Sequence, residues 1–225
     1  MFIFLFNSLF NHTKHQIMNL KSIVLVLLFA CKISFSQEHN VFGISAGTNY
    51  SSLRGDIVEF ESEFSFLFGV NYTFSLKENL SIKAELNYER KNTNREIPIG
   101  GVLGQGGIFS EGKYRRKYDY ITLPVLLKYN FGYDDPFYVN GGPYLGYIIN
   151  AEEKLDGSTR GIDITNLYKS FELGISFGVG KVFSVSKNNN LSVEVRNNLG
   201  LTSLSESYSI RSNSLNLILG WSFTL

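Results

Sequence analysis

Few side chains in this chain are equipped for chemistry, and their positions narrow it further. The three histidines are His12, His15 and His39, and Cys31 is the single cysteine. Histidine-dependent acyl chemistry relies on an imidazole within hydrogen-bond reach of its serine or cysteine nucleophile. All three histidines precede the first patterned segment, so histidine-dependent catalysis is not expected. Metal binding would fall to carboxylates such as the adjacent pairs Asp134–Asp135 and Glu152–Glu153, which read as solvated turn charges rather than a calcium cage. The run "GGVLGQGGIFSEG" (100–112) is glycine-rich but lacks the preceding strand, following helix and lysine of a phosphate loop, and reads as a surface loop. Beside it, "KYRRK" carries Lys113, Arg115, Arg116 and Lys117, a cluster able to contact phosphate groups or to act as a charged collar. No catalytic residue, cofactor or metal site is therefore expected.

The remaining sequence is organised by alternation. In "FSFLFGVNYTFSL" (64–76) every second residue from Phe64 to Leu76 is apolar or aromatic, and most of those between are small or polar. Period-two patterning makes a strand with one apolar and one polar face. Seven further segments behave alike: 41–53, 80–90, 118–131, 137–154, 169–182, 191–201 and 214–225. In 137–154 large residues occupy both faces and the phase stays open. Short polar links ("KEN", "GYDDP", "KNNN") take turns with long ones, the longest being 92–117. That rhythm predicts an all-β, eight-stranded antiparallel up-and-down barrel.

The polar faces contain Lys83, Glu85, Glu89, Lys128, Glu172, Glu194 and Arg196, three bases and four acids. Burying such groups unpaired costs several kcal/mol each, so this face is either solvated or a mutually neutralising lumen. Length favours the lumen. Segment 64–76 spans roughly 40 Å, which at a tilt near 45° rises about 28 Å, the apolar height of a transmembrane barrel. Tyr50, Tyr72, Tyr88, Tyr129 and Trp221 fall towards stripe ends, where interfacial aromatics belong. The terminal "GWSFTL", with Gly220, Phe223 and Leu225, resembles the C-terminal signal read by the barrel assembly machinery, with leucine in place of the usual phenylalanine.

At the other end, "MNLKSIVLVLLFACKISFSQ" from Met18 has the layout of a secretory signal peptide cut before Gln37. Residues 1–36 are accordingly assigned as signal peptide and 37–225 as the barrel domain. A competing reading takes "LFAC" as a lipoprotein box with Cys31 acylated; Phe29 and Lys32 weigh against it. The formal charge of +1 offers no basic field for nucleic acid.

"YITLPVLLKYNF" (120–131), "YVNGGPYLGY" (138–147), "GISFGVG" (174–180) and "RNNLGLTSL" (196–204) resemble the PorT-like outer-membrane β-barrel family common in the Bacteroidetes, over essentially the whole of 37–225. The resemblance implies the fold and an outer-membrane setting of lipid and lipopolysaccharide; its name-giving member is linked to type IX secretion. Three functions follow as expectations. The first is a non-enzymatic barrel with periplasmic termini whose long outer loops bind a partner or surface ligand. The second is a component of a secretion or transport assembly, with a protein partner. The third is a soluble, lipocalin-like carrier of an apolar ligand.

Overall fold

Alternating side chains and β-rich composition commit this chain to strands, and strands in lipid must leave no backbone donor or acceptor unpaired. The computed structural model describes residues 40–56, 61–99, 110–132, 136–156 and 158–224. The segment assigned as signal peptide, with Cys31, lies outside the described residues, as do His39, Asp134, Asp135 and Leu225. The strands are β1 (Val41–Gly55), β2 (Glu61–Lys77), β3 (Leu80–Ile99), β4 (Ser110–Phe131), β5 (Phe137–Leu155), the two-residue β6 (Ile162–Asp163), β7 (Phe171–Ser186), β8 (Asn189–Gly200) and β9 (Ile210–Thr224). All but β6 form a closed antiparallel ring in which each strand pairs with the next, β5 with β7, and β9 returns to β1.

Closure sorts side chains by phase. Outward positions are apolar and uncovered in the isolated chain: Phe64 is 70% exposed, Phe177 62% and Leu219 54%. Inward positions are polar yet buried, Glu172 at 0% and Arg196 at 1%. This is the reverse of a soluble carrier, so the lipocalin-like reading falls. The open phase of 137–154 is resolved: Tyr138, Asn140, Tyr144 and Ile148 point inward, while Phe137, Leu145, Tyr147 and Ile149 point out.

Tight links join β2 to β3 through Glu78–Asn79 and β7 to β8 through Lys187–Asn188. After β4 the chain turns at Gly132, whose φ of +96° is a conformation that suits glycine. These links define a turn end, and the longer connections define a loop end. One expectation needs correction: the long link expected over 92–117 is strand at both flanks. Residues 92–99 and 110–117 continue β3 and β4 in register from Asn92↔Lys117 to Ile99↔Ser110. The apolar stripe stops near Tyr88 because the outer face leaves lipid there, whereas the hydrogen-bond ladder needs no apolar side chains and runs on.

If the outer face meets hydrocarbon, Phe68→Lys should cost about 2–4 kcal/mol of folding free energy at mid-bilayer depth. Denaturant titration of protein folded into phospholipid vesicles measures it. Unchanged stability would mean that this face meets water.

Candidate functional site

The inward faces of the ring build the chain's most distinctive feature, a lumen packed with charge. Arg196 on β8 reaches the diametrically opposite strand β3, where its guanidinium donates two hydrogen bonds to the Glu85 carboxylate at 2.6 and 2.8 Å. Its Nε donates to Glu194 Oε1 at 2.6 Å. Lys83 lies 2.7 Å from Glu85 and 3.7 Å from Glu194. Tyr138 and Asn140 donate to Glu194 at 2.8 and 3.0 Å, and Asn87 donates to Glu85 at 3.0 Å. A forked guanidinium is suited to such a strut, since its fixed donors match both carboxylate oxygens at once.

A second network lies nearer the loop end. Glu172 accepts from Ser212 at 2.6 Å, from Tyr120 at 3.2 Å and from the Tyr144 hydroxyl, with Lys91 Nζ 3.5 Å away. Lys91 also sits 4.4 Å from the centre of the Tyr120 ring. Glu89 accepts from Ser214 at 3.0 Å and Asn49 at 3.4 Å. Glycines on β7 make room for both tyrosines: Gly174 pairs with Tyr144 and Gly180 with Tyr138, and a Cβ at either glycine would collide with the tyrosine ring.

Above the second network the lumen turns apolar. Leu53, Tyr118, Tyr120, Ile148, Ala151, Ile164, Leu204 and Ile210 form one buried cluster, with Tyr168 against it. Ile164 and Leu204 belong to the β5–β7 and β8–β9 connections. These are held by backbone hydrogen bonds, Ile164 N–H to Ala151 at 2.9 Å and Leu204 N–H to Ile210 at 2.7 Å. The loop end is thus stoppered. At the turn end, a polar cavity of about 430 Å³ reaches in as far as Lys83, Lys128 and Glu194.

The structure brings Lys83, Glu85, Glu194 and Arg196 into one network, whereas Glu89 and Glu172 stand apart and Lys128 has no ion pair among the described residues. Lys91 was missed by sequence reasoning. It shares the phase of Glu89 two positions on, but lies beyond the end of the apolar stripe that marked the strand.

"KYRRK" lies on β4, not at the base of a loop. Lys113 lies 3.9 Å from Glu61, Arg115 3.1 Å from Glu63, and Arg116 pairs with Glu153. The cluster is therefore largely matched by acids of β5, its neighbour, and of β2, one strand beyond β3. Just below it on the outer face, Asp119 binds Arg90 at 2.7 Å and accepts from Tyr88 at 2.6 Å and Asn150 at 3.2 Å. Arg90 also lies 5.3 Å from the Phe66 ring centre. This polar knot above Phe66, Phe68 and Ile121 marks the level where the apolar band ends.

At the turn end Gly220 and Phe223 sit on β9, paired with Ser45 and Phe42 of β1. Among the described residues no cluster of three or more potential metal-ligating side chains occurs.

The outer membrane protein beta-barrel domain family matches residues 14–206. The chain belongs to that family. An outer-membrane setting follows from membership and agrees with the apolar outer face. The search of curated proteins found no match. Among solved structures, Neisserial surface protein A is 15% identical over 82% of this chain and 97% of its own, with a TM-score of 0.47. Ail, the attachment invasion locus protein of Yersinia pestis, is 14% identical (83% and 100% covered, TM-score 0.41), and OprG from Pseudomonas aeruginosa 12% (84% and 97%, TM-score 0.42). Likeness of this degree says nothing about ligand, partner or activity.

Replacing Arg196 by methionine leaves Glu85 and Glu194 sharing Lys83 alone in a buried site, and should cost about 3–5 kcal/mol. The part-exposed pair of Arg115 and Glu63 should cost about 1 kcal/mol or less when Arg115 is replaced in the same way. Unfolding midpoints compare the two, and equal losses would deny the lumen network its structural role.

Proposed function

We propose that the protein is a non-enzymatic outer-membrane barrel that works by presenting its loop end to a partner or surface ligand outside the cell, with both termini in the periplasm. The observation that carries this reading is the continuation of β3 and β4 past the Arg90–Asp119 level as a paired ribbon to Ile99 and Ser110. Below it, the stoppered mouth and the two ion networks leave little room for a wide solute channel. Eight strands enclose an interior that side chains can fill. Paired backbone extending beyond the membrane gives a partner a rigid surface at low ordering cost.

Within this reading, residues 1–36 are a removed signal peptide and 37–225 the barrel domain. Gly220, Phe223 and Leu225 engage the assembly machinery. Lys117, for which the described residues supply no ion pair, is the member of the basic cluster left to meet lipopolysaccharide phosphate, while its neighbours brace the ribbon.

Orientation is tested by single cysteines at Lys117 and Lys187, labelled on intact cells with a membrane-impermeant maleimide. Labelling at 117 and not at 187 is expected, and the reverse would sink the topology. Replacing 96–113 with a two-residue turn should leave a heat-modifiable barrel that no longer complements a deletion strain. Complementation by the trimmed chain would remove the ribbon from the function. In planar bilayers the purified protein should show no stable conductance steps.

A second reading, a component of a secretion or transport assembly, is favoured by the resemblance of 120–131 and 138–147 to the PorT-like family. It requires that deletion of the gene lower the yield of secreted proteins, and normal secretion would exclude it.

A further inference from the structure

The charges of the two lumen networks, with Lys128, balance in number but not along the axis. Including Lys91, four bases face four acids. Towards the turn end Lys83, Lys128 and Arg196 stand against Glu85 and Glu194; towards the loop end Lys91 stands against Glu89 and Glu172. The turn-end group thus keeps one positive charge more than its carboxylates match.

The positive excess has an address. Glu85 and Glu194 are both engaged by Arg196 and Lys83. Lys128 is left with the face of the Tyr138 ring, 4.1 Å from its Nζ, and with no carboxylate in ion-pair range among the described residues. An ammonium held in a narrow protein interior without a carboxylate in direct contact is costly, and a bound anion lowers that cost.

Lys128 and Lys83 both line the turn-end cavity of about 430 Å³. Between and around them are hydroxyl and amide groups, among them Thr73, Ser81, Asn71 and Asn130. Ammonium and hydroxyl donors converging on one polar space suit an oxyanion, whose several acceptor oxygens each take a charge-assisted hydrogen bond. Two ammoniums outnumber the one inner carboxylate of the lining, Glu194, and disfavour a divalent cation, while the polar lining disfavours an apolar guest. At about 30 Å³ per water, there is room for an oxyanion together with several waters or a short organic tail. At the rim Lys77 and Glu78 oppose each other in charge, so the attraction is centred inside the barrel.

We propose that the turn-end cavity is a binding site for a small phosphate-type oxyanion, held between Lys83 and Lys128. The site would be reached from the side of the short turns and closed above by the Arg196–Glu85 strut.

The test uses the full barrel in detergent micelles in phosphate-free, sulfate-free buffer, titrated with inorganic phosphate and, separately, with glycerol 3-phosphate by calorimetry. Saturable binding of one anion per chain is expected. Tighter binding of glycerol 3-phosphate would assign a phosphorylated solute, and equal binding free phosphate. Lys128→Met should weaken binding by about tenfold or more, the loss of one charge-assisted contact. Lys128→Arg should retain binding, and Lys187→Met, at an exposed turn of the same end, should leave it unchanged. No saturable binding by the wild-type barrel, or Lys128→Met binding as tightly as wild type, would overturn the proposal. Should Lys128→Met fail to fold, the Nζ resonance of Lys128 in the wild-type barrel decides. A phosphate-dependent shift supports the site, and its absence rejects it.

Discussion

In hydrocarbon a backbone amide has no water to fall back on, and everything in this protein follows from satisfying that constraint with strands. Strands leave edges unpaired unless the sheet closes, so β9 must return to β1. Closure divides each strand into an outward and an inward face, and the bilayer then claims the outward one for Phe, Leu, Val and Tyr. The inward face is left to whatever a narrow tube can tolerate.

That tolerance is strict. With eight strands the tube is filled by its own side chains, and charges inside it lose most of their hydration. The chain meets the cost by pairing charges across the lumen as well as along single strands. Arg196 spans from β8 to β3, Lys91 from β3 to Glu172 on β7, and tyrosines laid over glycines supply further donors to Glu172 and Glu194 beside Ser212 and Asn140. These contacts tie strands far apart in the ring, so they brace the barrel against flattening as well as neutralising charge. The pairing is incomplete at the turn end, where the excess coincides with the polar cavity.

The two ends divide the labour. Short turns and a polar cavity mark one, and a stopper of Tyr118, Ile148, Ile164 and Leu204 marks the other, above which β3 and β4 continue as a ribbon. Between the ends, the knot of Tyr88, Arg90, Asp119 and Asn150 records the depth at which the outer face passes from lipid to water.

Alternation in the amino-acid sequence was enough to determine the strand fold, the eight-membered count, the lipid-facing stripes and the inward placement of Lys83, Glu85, Glu89, Lys128, Glu172, Glu194 and Arg196. Each of these depends only on whether a residue sits at an odd or even position of one strand, which is a local property. Tertiary structure alone decided which charges meet, because a contact such as Arg196 to Glu85, 111 residues apart, is set by ring closure and strand register. It also decided the phase of β5, where large residues fall on both faces, Tyr138, Tyr144 and Ile148 inward and Phe137, Leu145 and Tyr147 outward, so that size gave no local signal. The reach of β3 and β4 through 92–99 and 110–117 was hidden for a related reason: outside the membrane no apolar face is required, and the hydrogen bonds that extend the ribbon leave no mark on side-chain type. Lys91 stood at that border, in phase with the lumen but past the last apolar residue of its stripe.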